Sequence, residues 1–164
     1  MDTQQFTESE VMNKAALAIF ERLSKQNPQA YEPHLAKSYE NLGLLYIAVR
    51  RYNEAEVMYK NALDIRKRLA QQNPQAYEPD LAATYHNLAG LYRDTQRFDE
   101  SEAMLKFALS IRARLAKENP QAYEPVLATT YNNLANLYSD TQRFAESEAH
   151  YKAALAIYER LVKE

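Results

Sequence analysis

The chain has 164 residues, with 20 Lys and Arg against 22 Asp and Glu and a formal net charge of −2. That balance gives no electrostatic pull toward nucleic acid or an anionic membrane, and the absence of cysteine excludes a disulfide framework and a thiolate metal site. Only two glycines occur, among abundant Ala, Leu, Glu, Lys, Arg and Gln, so the composition predicts helix throughout.

Residues 1–26 are amphipathic with acids interspersed, unlike a signal peptide, and no apolar run approaches the roughly 20 residues of a membrane span. No membrane association is expected, and a cytoplasmic setting is. From residue 27 the chain repeats itself. Asn-Pro-Gln-Ala-Tyr-Glu-Pro stands at 27–33, 73–79 and 119–125, always 46 residues apart. Residues 27–72, 73–118 and 119–164 are thus three full repeats, the second and third sharing 33 of 46 positions. A period of this size marks an array of one supersecondary unit. Residues 6–26 match the back half of a unit, Phe6 falling on Phe98 and Phe144. Residues 1–26 are therefore read as a half repeat, a second helix alone, and the chain as one continuous array of seven helices.

Each unit reads as an antiparallel helix pair. The first helix is expected to start at the second proline of the heptapeptide (Pro33, Pro79, Pro125), where a missing amide costs least, and to run about 17 residues. Its apolar stripe is Leu35, Tyr39, Leu42 and Tyr46, repeated as Leu81, Tyr85, Leu88, Tyr92 and as Leu127, Tyr131, Leu134, Tyr138. A small residue beside each central leucine (Gly43, Ala89, Ala135) suggests close approach of a neighbouring helix. Asn53 with Glu56, Asp99 with Glu102 and Thr7 with Glu10 are spaced as capping boxes for the second helix, and Ala145 would lack that cap. This helix should end near Gln72, before Asn73-Pro74. Tyr31, Tyr77 and Tyr123 fall in the linkers and are expected to cover the seams between units.

Tyr-x-x-Leu-(Gly/Ala)-x-x-Tyr, then a Tyr or Phe six residues on, a small residue (Ala55, Ser101, Ser147) and an Ala-Leu pair (Ala62-Leu63, Ala108-Leu109, Ala154-Leu155) resembles the tetratricopeptide repeat. The match covers the whole chain and is similar to the long-helix variety of kinesin light chains and bacterial proteins. It implies an all-α, right-handed superhelical solenoid whose first helices line a concave groove. Two departures stand out. The turn glycine common in the family is Arg50, Gln96 or Gln142 here, which suggests a differently shaped turn. Asn13 replaces the Tyr59, Leu105 and Tyr151 of the other units, as suits a helix with no preceding neighbour.

The resemblance places the groove on first-helix positions pointing away from the Tyr/Leu stripe. In the first repeat these include Lys37, Glu40 and Asn41; in the second His86, Asn87 and Arg93; in the third Asn132, Asn133, Asn136 and Asp140. The Asn41/Asn87/Asn133 column is invariant, and in this family asparagine there often clamps the backbone of an extended peptide. A carboxamide offers two donors and one acceptor, matching a peptide unit whatever its side chain. The alternatives are a bond to a neighbouring helix, or inheritance from a duplicated ancestor. Three such contacts at about 1 kcal/mol each fall short of the roughly 8 kcal/mol of micromolar binding. A two-carboxylate clamp would need a lysine and an asparagine at the Glu40 and Leu44 places, and neither is present. The mixed charges favour a neutral or mixed-charge peptide over a poly-acidic one.

His34, His86 and His150 occupy different positions in their units and form no metal set, and no nucleophile triad or phosphate-cradling loop occurs. The reading is a non-catalytic protein-binding module with no cofactor. The final helix turns Tyr151, Leu155, Tyr158 and Val162 toward the place of a further unit. A fragment of a longer array, or a homo-oligomer formed through unsealed ends or by domain swapping, is the competing expectation.

Overall fold

The computed structural model describes residues 3–163, and among them it contains seven α-helices and no strand. They are α1 (Thr3–Gln26), α2 (Pro28–Ala48), α3 (Tyr52–Gln72), α4 (Pro74–Asp94), α5 (Phe98–Glu118), α6 (Pro120–Asp140) and α7 (Phe144–Leu161). The all-α helix-pair reading and the count of seven hold. The helices gather into two compact units, Met1–Tyr77 and Glu78–Glu164.

The first helix of each pair starts five residues before the expected proline. Asn27 and Asn119 cap α2 and α6, their Oδ1 atoms accepting from the amides of Ala30 (3.1 Å) and Ala122 (3.2 Å), and Pro28 and Pro120 take the first helical position. Pro33, Pro79 and Pro125 lie inside the helices. Their missing amide deprives only a carbonyl in the first turn, such as that of the exposed Gln29, which water can satisfy. The helices are consequently 21 residues long.

The heptapeptide recurs because each part has a mechanical role. Its glutamate reaches the end of the second helix of the same repeat: Glu32 pairs with Arg68 (2.7 Å), Glu78 with Arg114 and Glu124 with Arg160 (2.6 Å). Its tyrosines lie in the first helical turns, not in linkers, yet still cover seams. Tyr77 packs against the cluster that includes Ile65 and Leu69, and Tyr123 against the one that includes Ala116, Leu127 and Ile157.

Within each unit the predicted stripes form the core. In the first, Leu35, Ala36, Ile65 and Leu69 are buried against Leu17, Phe20 and Tyr39, and Tyr59 is fully buried beside Gly43. A Cβ on Gly43 would lie 3.0 Å from the Tyr59 ring, so the small residue marks close helix approach, as read. In the second unit Leu105 packs with Ala89, Leu134, Leu137 and Tyr138. Ser101 and Ser147 replace the apolar Ala55 and each donates to a first-helix carbonyl, of Ala89 and of Ala135, at 2.8 Å. Asn13 bonds its own helix, donating to the Ser9 carbonyl at 2.8 Å.

The capping boxes expected for α3 and α5 do not form. The N-caps of α3, α5 and α7 are Arg51, Arg97 and Arg143, and none makes a side-chain cap bond. Asn53 and Asp99 therefore sit inside their helices, and Ala145 forfeits no cap. Each arginine closes the preceding helix. The amides of Arg51, Arg97 and Arg143 donate to the carbonyls of Tyr46 (2.8 Å), Tyr92 (2.7 Å) and Tyr138 (2.7 Å), and the residue before each donates to Ile47, Arg93 and Ser139. This pair of bonds is the Schellman closure, which needs a left-handed residue at the middle position. Arg50, Gln96 and Gln142 supply it with φ near 60°. The turn thus takes the left-handed shape that favours glycine, and these side chains carry the strain.

The same arginines lock the turn from outside. Arg51, Arg97 and Arg143 stack over Tyr46, Tyr92 and Tyr138 with the guanidinium carbon 4.2–4.4 Å from the ring centre. Each also grips the carboxylate three residues on, with Nε at 2.7 Å from Glu54 and 2.6 Å from Glu100 and Glu146. Arg51 reaches back to Glu10 at 3.1 Å and Arg143 to Glu102, and the same glutamates accept from the hydroxyls of Tyr46 and Tyr138 at 3.1 Å. Burial alone would raise the Glu102 carboxyl. Hydrogen bonds from Arg143, Lys106 and Tyr138 outweigh it and bring the group down to about 2.

Two outcomes are expected. Gln142→Gly should stabilise the fold by about 1 kcal/mol, the left-handed penalty less the added chain entropy of glycine, seen as a higher urea midpoint at constant slope; a lower midpoint would contradict the strained turn. Glu102→Gln should cost about 2 kcal/mol at neutral pH, the range for hydrogen bonds to a charged group. Because the folded carboxyl titrates below its ordinary 4.5, the wild-type advantage should be complete above that pH and shrink as pH falls toward about 2. Paired denaturation curves across that window check the second.

Candidate functional site

The ten candidate residues stand on α2, α4 and α6, the first helices of the three repeats. On α2, Asn41 is exposed and Lys37 projects into solvent with its ammonium 3.7 Å from Glu40. Glu40, read from the sequence as a groove position, is instead buried, 5% exposed, with its carboxylate 3.6 Å from the buried Arg66 of α3. A carboxylate this far from water holds its place only beside a cation, so Glu40 joins α2 to α3.

In the second unit α4 and α6 stand side by side. Arg93 of α4 donates from Nε to Asp140 of α6 at 2.6 Å, and His86 of α4 lies 3.1 Å from the side-chain amide of Asn133 of α6. Each contact joins positions 47 residues apart, one repeat plus one residue. Asn132 and Asn136 turn toward α7, Asn132 donating to the Tyr158 hydroxyl at 3.3 Å and Asn136 accepting from that of Tyr151.

The invariant asparagines are therefore not equivalent. The side chains of Asn41 and Asn87 make no hydrogen bond among the described residues, whereas Asn133 is engaged with His86 between two helices. For Asn133 one alternative left open by the sequence, a bond to a neighbouring helix, is observed.

Sequence reasoning missed Arg112, on α5. It is 8% exposed, and its Nη1 donates to Thr130 Oγ1 (2.7 Å), to the Val126 carbonyl (3.2 Å) and to His86 Nδ1 (3.3 Å). Burial, then the Arg112 charge, pushes His86 down to about 4; burial likewise lowers Arg112 to about 10. His86 is thus neutral at pH 7. An arginine can only donate, so Nδ1 accepts and Nε2 keeps the ring proton. A half turn of the Asn133 carboxamide puts its oxygen on that proton and leaves its amide hydrogens free to donate.

A signal for Arg112 was present. The positions 26 residues apart, Glu40 with Arg66, His86 with Arg112 and Asn132 with Tyr158, are in contact in all three repeats. Of the other histidines, His34 stacks on Phe20 and His150 meets Tyr131 and Tyr138. Among the described residues no group of three or more His, Asp or Glu gathers to hold a metal ion, and no helix is long and apolar enough to cross a membrane.

This arrangement has relatives. The chain is similar to BtubC (BKLC) from P. vanneervenii, 26% identical with a TM-score of 0.71 over 95% of this chain, and it spans 58% of that structure's length. It also resembles MamA of AMB-1, 22% identical with a TM-score of 0.54, covering 87% of this chain and 62% of that one. No curated protein matches the sequence. Two tetratricopeptide repeat families match, at residues 35–75 and 80–160. With helix pairs, buried Tyr/Leu stripes and small-residue contacts in place, the chain belongs to the tetratricopeptide repeat family.

Proposed function

We propose that the first helices of this array bind an extended or helical segment of a protein partner, without catalysis. The tetratricopeptide fold is that of a protein–protein interaction module. One observation carries the finer reading: Asn41 and Asn87 recur at the same register, reach solvent and make no side-chain hydrogen bond within the fold. A carboxamide in that state can meet the amide and carbonyl of a peptide unit together. Lys37, one helical turn before Asn41, and the Arg93–Asp140 pair of the second unit give the first helices a mixed charge that suits a mixed-charge segment.

Segments selected from a random-peptide display library provide the test. Replacing Asn41, Asn87 and Asn133 together by alanine should weaken their binding roughly 100-fold, at about 1 kcal/mol per amide, while far-ultraviolet dichroism stays unchanged. Binding undiminished in the triple variant, or a library yielding no binder, would refute the reading.

A second reading, self-association, rests on α7. Leu105 of α5 is 3% exposed beneath α6, but its counterpart Tyr151 is 43% exposed and the neighbouring Leu155 55%. With Phe144 and Tyr158 these residues line an open apolar depression. Its shape in α5 is filled by a first helix, so a second copy offering a helix of that pattern is the occupant this reading requires. Light scattering should then show concentration-dependent dimers that Leu155→Glu returns to monomer; a monomeric parent at all concentrations refutes it.

A further inference from the structure

We propose that Arg112 forms a subsite for a single carboxylate, supplied by an Asp, Glu or chain-terminal residue of the bound segment; the proposal rests on the first-helix binding reading and specifies its chemistry. Arg112 has no carboxylate partner among the described residues, and all three of its hydrogen bonds come from Nη1. Its Nε and Nη2 make none. Neither is among the fully sealed polar atoms of the described residues, so each keeps a residual exposure within a side chain that is 8% exposed overall.

Those two atoms form the edge of a guanidinium that receives a carboxylate through two parallel bonds. This chain uses that edge repeatedly: Nε and Nη2 of Arg51, Arg97 and Arg143 each hold both oxygens of a glutamate. At Arg112 the same edge has no such partner. A buried guanidinium without a counter-charge is costly, and the cost is recovered when an anion arrives.

The first repeat shows what a carboxylate does at this register. There Arg66 has Glu40 against it at 3.6 Å, and Lys37 stands by. In the second repeat those two places hold His86 and Ala83. His86 fills the volume of Glu40 and accepts one hydrogen bond but brings no charge, so the site keeps a net positive charge. Asn133, oriented by His86, contributes a further donor. The arrangement suits one carboxylate among otherwise neutral contacts, consistent with the mixed charge of the surface.

The test uses the whole chain, labelled with ¹⁵N, and follows the Arg112 Nε–H resonance by NMR. Sodium acetate should shift it saturably, with a midpoint of roughly 10–100 mM, the range for one charge-assisted pair, while neutral acetamide should not. His86→Glu supplies the carboxylate that the first repeat already carries; it should weaken the acetate response at least tenfold and raise the thermal midpoint. Arg112→Gln should remove the resonance and so assign it. An absent shift, an equal shift with acetamide, or an unchanged response in His86→Glu overturns the subsite. Selected peptides that bind without any carboxylate also overturn it while leaving the groove reading intact. Acetate binding with no peptide binding does the reverse.

Discussion

The structure turns on what one arginine does at each intra-repeat corner. Its backbone amide completes the closure of the first helix, and its own position begins the second. Its guanidinium lies over the tyrosine that ends the apolar stripe and holds the first-turn carboxylate of the new helix. Arg51 and Arg143 also bind a glutamate of the preceding second helix. A lysine could not replace this: stacking on a ring while donating along two edges needs a planar fork. Single exposed ion pairs contribute little. Here the half-buried Glu102 takes Arg143, Lys106 and a tyrosine hydroxyl together, and the network ties α5, the end of α6 and the start of α7 to one another.

The corner also explains why the turn tolerates strain. A left-handed Arg50, Gln96 or Gln142 is held by bonds on both sides, so its penalty is set against a whole corner. The first-helix ends are more economical, since Asn-Pro supplies a cap and a pre-set first turn in two residues. Different solutions serve the two kinds of corner because the spaces differ. Successive repeats join through a single non-helical residue, while the intra-repeat corner must reverse the chain in three.

Much of this was legible in the residues. The 46-residue period, the helix count and the stripes depend on patterns that any helical array must show, and they appear in the core as read. The misreadings share one cause, the treatment of local motifs as sufficient. Asn53 with Glu56 has capping-box spacing, but Arg51 already occupies the cap position through tertiary contacts. Pro33 looks like a helix start, but Asn27-Pro28 provides a better one within reach. Of the candidate site, the asparagine column was visible because it is constant. Glu40 was misplaced, and Arg112 overlooked, because their roles depend on partners 26 residues away on the other helix of the pair.

That 26-residue relation separates what is constant between repeats from what varies. The heptapeptide, the corner arginines and the Tyr/Leu stripe are the same in every repeat, since each interface between stacked helices must solve the same packing problem. The pair linking a first helix to its second is free of that demand, and it changes in each repeat: Glu with Arg, His with Arg, Asn with Tyr. Each version stays internally connected, but they differ in charge. The first is balanced, the second carries one uncompensated positive charge, and the third is neutral. A repeat array can therefore keep its packing constant while varying, unit by unit, the charge that its helix pairs carry. Since the stability of such an array is close to a sum over units and their interfaces, the cost of a charged site in one repeat is shared by the rest.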